Sequence, residues 1–86
     1  LGTYSVGYNP RGIIFDGKYI WVTNYSSNNV MKLSVSDGAI LGTFDTGTGP
    51  IGITFDGKYL WVINCLSSTV TKMKGDYPDF ILKGNE

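Results

Sequence analysis

Two aspartates, Asp16 and Asp56, and two tryptophans, Trp21 and Trp61, are the side chains of this 86-residue chain best suited to chemistry. A carboxylate can act as an acid or hold a metal, and an indole can stack on a ligand. Each aspartate, however, stands directly before a glycine, in Asp16-Gly17 and Asp56-Gly57, where an acceptor side chain is explained by a tight turn. Each tryptophan falls in the middle of a strand-like run that a neighbouring sheet is expected to cover. The chain has no histidine, so it has no imidazole base, and its single glutamate is Glu86. No catalytic residue, metal site or cofactor is assigned from these residues. Asn24 and Asn64 end equivalent runs and read as caps that bond the backbone of the following loop. Asn24-Tyr25-Ser26 fits a glycosylation pattern that Asn64-Cys65-Leu66 does not, and so short a pattern arises readily by chance. Lys18 and Lys58 follow the tight turns and read as solvated.

These pairs reflect an internal repeat. Positions 1–34 laid on positions 41–74 agree at more than half of the sites, so that Gly12-Ile13-Ile14-Phe15-Asp16-Gly17-Lys18-Tyr19 falls on Gly52-Ile53-Thr54-Phe55-Asp56-Gly57-Lys58-Tyr59. A requirement of the fold should act on both copies, so positions where they differ are the better guide to recognition. Tyr8-Asn9-Pro10-Arg11 faces Thr48-Gly49-Pro50-Ile51, and Tyr25-Ser26 faces Cys65-Leu66. Tyr8, Arg11, Tyr25 and Asn28 therefore form the candidate ligand-binding set, offering one cation, aromatic faces and an amide to a protein or glycan.

Four runs in each repeat suit strands. The first spans about 12–15 and is apolar on both sides; Asp16-Gly17 predicts a two-residue hairpin turn with positive φ at both residues. The second, about 19–23, is rich in aromatic and β-branched residues. A polar loop, Asn24 to Asn28, precedes the third run at about 29–35, Asp37-Gly38 turns the chain again, and the fourth run covers about 40–44. A period near 40 with this content predicts an all-β fold of β-propeller blades, each a four-stranded antiparallel meander. The expected organisation is one unit over 1–86, with repeat one at 10–46 and repeat two at 50–83. Repeat two departs from the plan after Lys74, where Gly75-Asp76-Tyr77-Pro78 replaces the turn. Residues 1–6 read as the outer strand of a preceding or partner blade, because Leu1-Gly2-Thr3-Tyr4 matches Leu41-Gly42-Thr43-Phe44.

The core from Pro10 to Asn24, found again from Pro50 to Asn64, resembles the YVTN and NHL-like family of β-propeller repeats. The resemblance implies the blade fold over almost the whole chain, and it allows a secreted or cell-surface location. It implies little about activity, since that family includes binding scaffolds, microbial surface proteins and a few enzymes. Streptogramin lyases with similar repeats use a catalytic histidine, which is lacking here. Calcium-dependent lactonases with related propellers bind metal through Glu, Asn and Asp, and Glu86 alone does not match such a set.

Composition narrows the classes further. Seven basic residues balance seven acidic ones, so no basic stripe is available for nucleic acid. The apolar runs are too short to span a membrane, and the lone Cys65 forbids an intrachain disulfide. An opening Leu rather than Met reads as a processed protein or a piece of a longer chain. A blade face covers roughly 300 Å² in projection, about the size of apolar patch that soluble monomers tolerate. At about 25 cal/mol per Å², covering one is worth several kcal/mol. Two blades are therefore expected to associate head to tail, as a homo-oligomer or with the rest of a longer propeller. A trimer with six blades is favoured, then a tetramer. The reading that follows is a non-catalytic module for binding or assembly; the alternatives are a structural repeat of a larger cell-surface propeller protein and a lyase- or lactonase-type enzyme.

Overall fold

The computed structural model describes residues 2–74. Among the described residues seven strands form, with no helix: β1 (Pro10–Phe15), β2 (Tyr19–Asn24), β3 (Asn29–Ser34), β4 (Ile40–Asp45), β5 (Pro50–Phe55), β6 (Tyr59–Asn64) and β7 (Thr69–Lys74). Neighbours along the chain pair antiparallel in two sheets, β1-β2-β3-β4 and β5-β6-β7. The runs read from the sequence differ from these strands by a residue or two at their ends. Residue 1 and residues 75–86 lie outside the described part, and with them the expected fourth run of the second repeat and Glu86. Residues 2–6 form no strand within this chain.

The hairpin turns differ in detail from the sequence expectation. Asp16 N donates to Tyr19 O at 3.0 Å, which puts Gly17 and Lys18, not Asp16 and Gly17, at the centre of the turn. Of these residues only Gly17 has a positive φ, 98°, the sign pattern of a type II′ rather than a type I′ turn. The physical reason is the aspartate carboxylate. Its Oδ1 accepts from Lys18 N at 2.9 Å and Tyr19 N at 2.7 Å, taking the place of the backbone carbonyl that would close an ordinary two-residue hairpin. Asp56 makes the same contacts with Lys58 N and Tyr59 N.

Strand register fixes which faces meet. Ile14, Trp21, Lys32 and Gly42 share one row across the first sheet, and Gly12, Thr23, Val30 and Phe44 share the next on the same face. That face lies on β5 and β6 of the second sheet. Trp21, Val30 and Leu60 form the buried cluster, with Ile14, Tyr19, Ile53, Phe55 and Met73 packed on it. Trp21 is only 2% exposed, and its ring lies 5.7 Å from that of Phe44. Next to the cluster, the Thr23 hydroxyl accepts from Gly12 N and donates to Ile51 O, which ties β1 and β2 to β5. Gly12 is required there: a Cβ would stand 2.4 Å from Ile51 O. On the opposite face of the first sheet Ile13 and Phe15 are exposed while Val22 and Leu33 are buried, and on the far face of the second Ile63 and Val70 are exposed. Among the described residues, no helix is long and apolar enough to cross a membrane.

Candidate functional site

The connections that lead into each sheet fold against the loop between its second and third strands. Tyr25 N donates to Asn9 O at 2.9 Å, Ser26 N to Tyr8 O at 3.2 Å, and Tyr8 N to the Ser27 hydroxyl at 2.9 Å. Asn9 sits at a φ of 59°, a left-handed conformation that Asn tolerates better than most residues. This clamp brings three of the four expected site residues to one edge. Tyr8 is 77% exposed, and Arg11, at the start of β1, places its guanidinium carbon 4.7 Å from the centre of the Tyr25 ring.

Asn28 is held elsewhere. Its Oδ1 accepts from Gly49 N at 2.9 Å and its backbone O accepts from Thr46 N at 3.2 Å. The side chain therefore fastens the connection between the sheets, and its φ of 57° aims it there. Beside Arg11 an apolar groove of about 370 Å³ opens on the outer face of the first sheet, between Tyr4 and Val6 on one side and Ile13, Val22 and Leu33 on the other.

The aspartates do more than shape turns. Asp16 Oδ2 accepts from the Trp21 indole N–H at 2.8 Å, and Asp56 Oδ2 does the same for Trp61. The Tyr59 amide, the Trp61 indole and the Lys58 amide, in that order of effect, lower the pKa of Asp56 from 3.8 to about 2. Asp56, whose two oxygens both accept, is thus held as an anion by hydrogen bonding, which suits a structural acceptor and not a general acid. Among the described residues, no three His, Cys, Asp or Glu side chains converge on a point that could hold a metal ion. Cys65 is exposed and unpaired.

Three features escaped the sequence reading. The aspartate–indole bond spans five residues and repeats in both copies, a signal visible as Asp-Gly-Lys-Tyr-x-Trp. Lys32 Nζ lies 4.3 Å from the Tyr19 ring centre, and Lys72 Nζ 4.2 Å from that of Tyr59; the signal is the cross-strand register that sets each lysine opposite its tryptophan. Asn24 and Asn64 do not bond the loop backbone as expected. Both are buried, and their Nδ2 groups donate to side chains, that of Asn29 in one case and the hydroxyls of Thr69 and Thr71 in the other. No family model matches the chain, and no curated protein matches it in sequence.

Proposed function

We propose that this chain is a non-catalytic β-propeller module for binding or assembly, made of two blades of the YVTN/NHL-like kind, and that its uncovered faces close with further copies into a ring. One observation carries this reading. The two outer faces, which expose Ile13 and Phe15 on one side and Ile63 and Val70 on the other, are the counterparts, 40 residues apart, of the two faces that already pack together inside the chain. Val30 is fully buried whereas Val70 is 58% exposed, and Thr23 is fully buried whereas Ile63 is 51% exposed. On the other side Ile53 packs on the core cluster whereas Ile13 is 69% exposed. A surface that fits its complement once in the chain fits it again in the next copy, head to tail. In such a ring Tyr8, Arg11 and Tyr25 recur once per copy, a multivalent array for a protein or glycan.

Sedimentation velocity together with native mass tests the proposal. The expected species is three copies with six blades, or four with eight. A compact, stable monomer at tens of micromolar would overturn it.

A further inference from the structure

The tight turns of both sheets project from the same end of the molecule. Gly12, near the start of β1, lies against Ile51, near the start of β5, and Tyr19, beside the first tight turn, packs on the same cluster as Phe55, beside the second. The two sheets therefore run in the same sense. The connections and Arg11 stand at one end, and Asp16-Gly17-Lys18 and Asp56-Gly57-Lys58 stand at the other. Charge is divided unevenly between these ends. Of the six basic residues described, Arg11 is at the first, and the five lysines, Lys18, Lys32, Lys58, Lys72 and Lys74, are at the second.

Four of these lysines form two pairs, each around one ring. Lys18 Nζ lies 5.6 Å from the centre of the Tyr19 ring and Lys32 Nζ 4.3 Å, while Lys58 Nζ lies 5.5 Å from that of Tyr59 and Lys72 Nζ 4.2 Å. Local sequence and register make each pair. The first lysine precedes its tyrosine in the turn, and the second sits on the neighbouring strand, opposite Trp21 or Trp61. None of the four forms an ion pair with a described carboxylate. Three aspartates stand at the same end, but their bonds turn the carboxylates into the turns. Asp16 and Asp56 each accept from two amides and an indole, and Asp37 Oδ1 accepts from Ala39 N at 3.0 Å. Asp56 feels Lys72 only after the Tyr59 amide, the Trp61 indole and the Lys58 amide.

We infer that this end of the molecule binds an acidic polysaccharide, with Lys18 and Lys32 holding one carboxylate or sulfate group and Lys58 and Lys72 holding another. Three observations select that class of ligand. The cations come as one pair per sheet, which fits a linear polymer whose charged groups recur at intervals. Duplex nucleic acid carries one charge per about 1.7 Å and calls for a continuous basic stripe, which Asp16, Asp37 and Asp56 interrupt. Each pair also flanks a tyrosine that is only half-buried, so part of the ring stays open to the apolar face of a sugar. A bilayer surface is met best by apolar side chains set beside the cations, and both turns are Asp-Gly-Lys. Both pairs belong to a single chain, so the site does not depend on the assembly proposed above, and it stands apart from Tyr8, Arg11 and Tyr25 at the other end.

Isothermal titration of the full chain with heparin fragments tests the inference, with dextran, single-stranded DNA and phosphatidylglycerol vesicles as comparisons. Heparin should bind, more weakly as salt rises, and dextran should not. Lys18→Gln with Lys58→Gln removes one exposed cation from each pair and should weaken heparin binding about tenfold or more, a lysine near an anionic surface being worth roughly fivefold. Thr48→Asp with Ser68→Asp, both exposed, shifts the net charge equally at the opposite end, and with salt screening it should change binding by less than about twofold. Equal losses in the two double variants, or no binding of heparin, would overturn the site. DNA or vesicles bound as tightly as heparin would overturn the polysaccharide as its ligand.

Discussion

Replacing Trp21 with alanine sets the burial argument against a built-in control, because Trp61 has the same sequence surroundings in a different physical one. Trp21 is 2% exposed, packs on Val30, Leu60 and Phe44, and satisfies Asp16 Oδ2. Removing a buried aromatic of this size costs about 3–5 kcal/mol, and the carboxylate oxygen left without its donor is buried as well. At roughly 0.05–0.15 kcal/mol per residue, a chain of this length holds about 4–13 kcal/mol in all. Trp21→Ala therefore removes a large part of the total. Trp61→Ala deletes the same side chain and the same bond to Asp56, but from a face where Ile63 and Val70 are wet, so in dilute solution it costs about 1–2 kcal/mol, roughly half of a full burial term. Urea unfolding followed by far-UV circular dichroism measures both without relying on the indoles. With m near 1–1.5 kcal/mol/M, Trp21→Ala should lower the midpoint by about 2–5 M or abolish the folded baseline, and Trp61→Ala by about 0.7–2 M. Raising the protein concentration into the range where copies associate should move the Trp61→Ala deficit toward that of Trp21→Ala, since only the wild-type face then gains from mass action. A Trp21→Ala midpoint equal to that of the wild type, or a deficit smaller than that of Trp61→Ala when dilute, would refute the packing analysis.

Acid should act through Asp56. Its depressed pKa means that the fold favours the ionised form, so its contribution is full above about pH 4 and fades as pH falls toward 2; Asp56→Asn should flatten melting temperature against pH over that interval, and an unchanged slope would reject the assignment. Asn28→Ala loses the bond to Gly49 N and puts, at a φ of 57°, a residue that tolerates the left-handed region less well than Asn. About 1–2 kcal/mol of destabilisation should follow, with Asn28→Gly falling between it and the wild type in thermal melts. Arg11→Ala removes an exposed cation–π contact with Tyr25, worth about 0.5–1 kcal/mol. Its melting temperature should fall by a few degrees at most, and a collapse would show that Arg11 is part of the packing.

What was legible in the sequence was what depends on local pattern. Alternating apolar residues and the Asp-Gly pairs located the strands, because strand periodicity and turn chemistry act over a few residues. Mid-strand Trp21 was readable as core for the same reason. The turn type was not, because it depends on whether a carbonyl or the Asp16 carboxylate receives Tyr19 N, and both are acceptors at that point in the chain. Asn28 was misplaced because its partner, Gly49, lies 21 residues away. Composition marks Asn28 as polar and exposed in a loop, and only the packing of β1 on β5 brings the second connection within its reach. Tyr8, Arg11 and Tyr25 converge through backbone bonds between residues 8–9 and 25–26, and sequence differences between the copies pointed to them without showing that geometry.

Unequal exposure of equivalent positions is the feature that ties fold to function. If the far face of the second sheet were adapted to water, its residues should be smaller or more polar than their buried counterparts. Thr54 follows that rule where the covered face has Ile14, but the next row does not: Thr23, buried, corresponds to the larger and more apolar Ile63, exposed, and Val30, buried, to an identical Val70, exposed. Lys72 shields Tyr59 and Trp61 through cation–π contacts, yet Lys32 does the same for Tyr19 and Trp21 on a face that a sheet also covers. The lysine therefore accompanies a covered face and does not replace the cover. An exposed row that carries more apolar surface than its buried twin gains more from a partner than from solvent. The proposed head-to-tail junction follows from that balance.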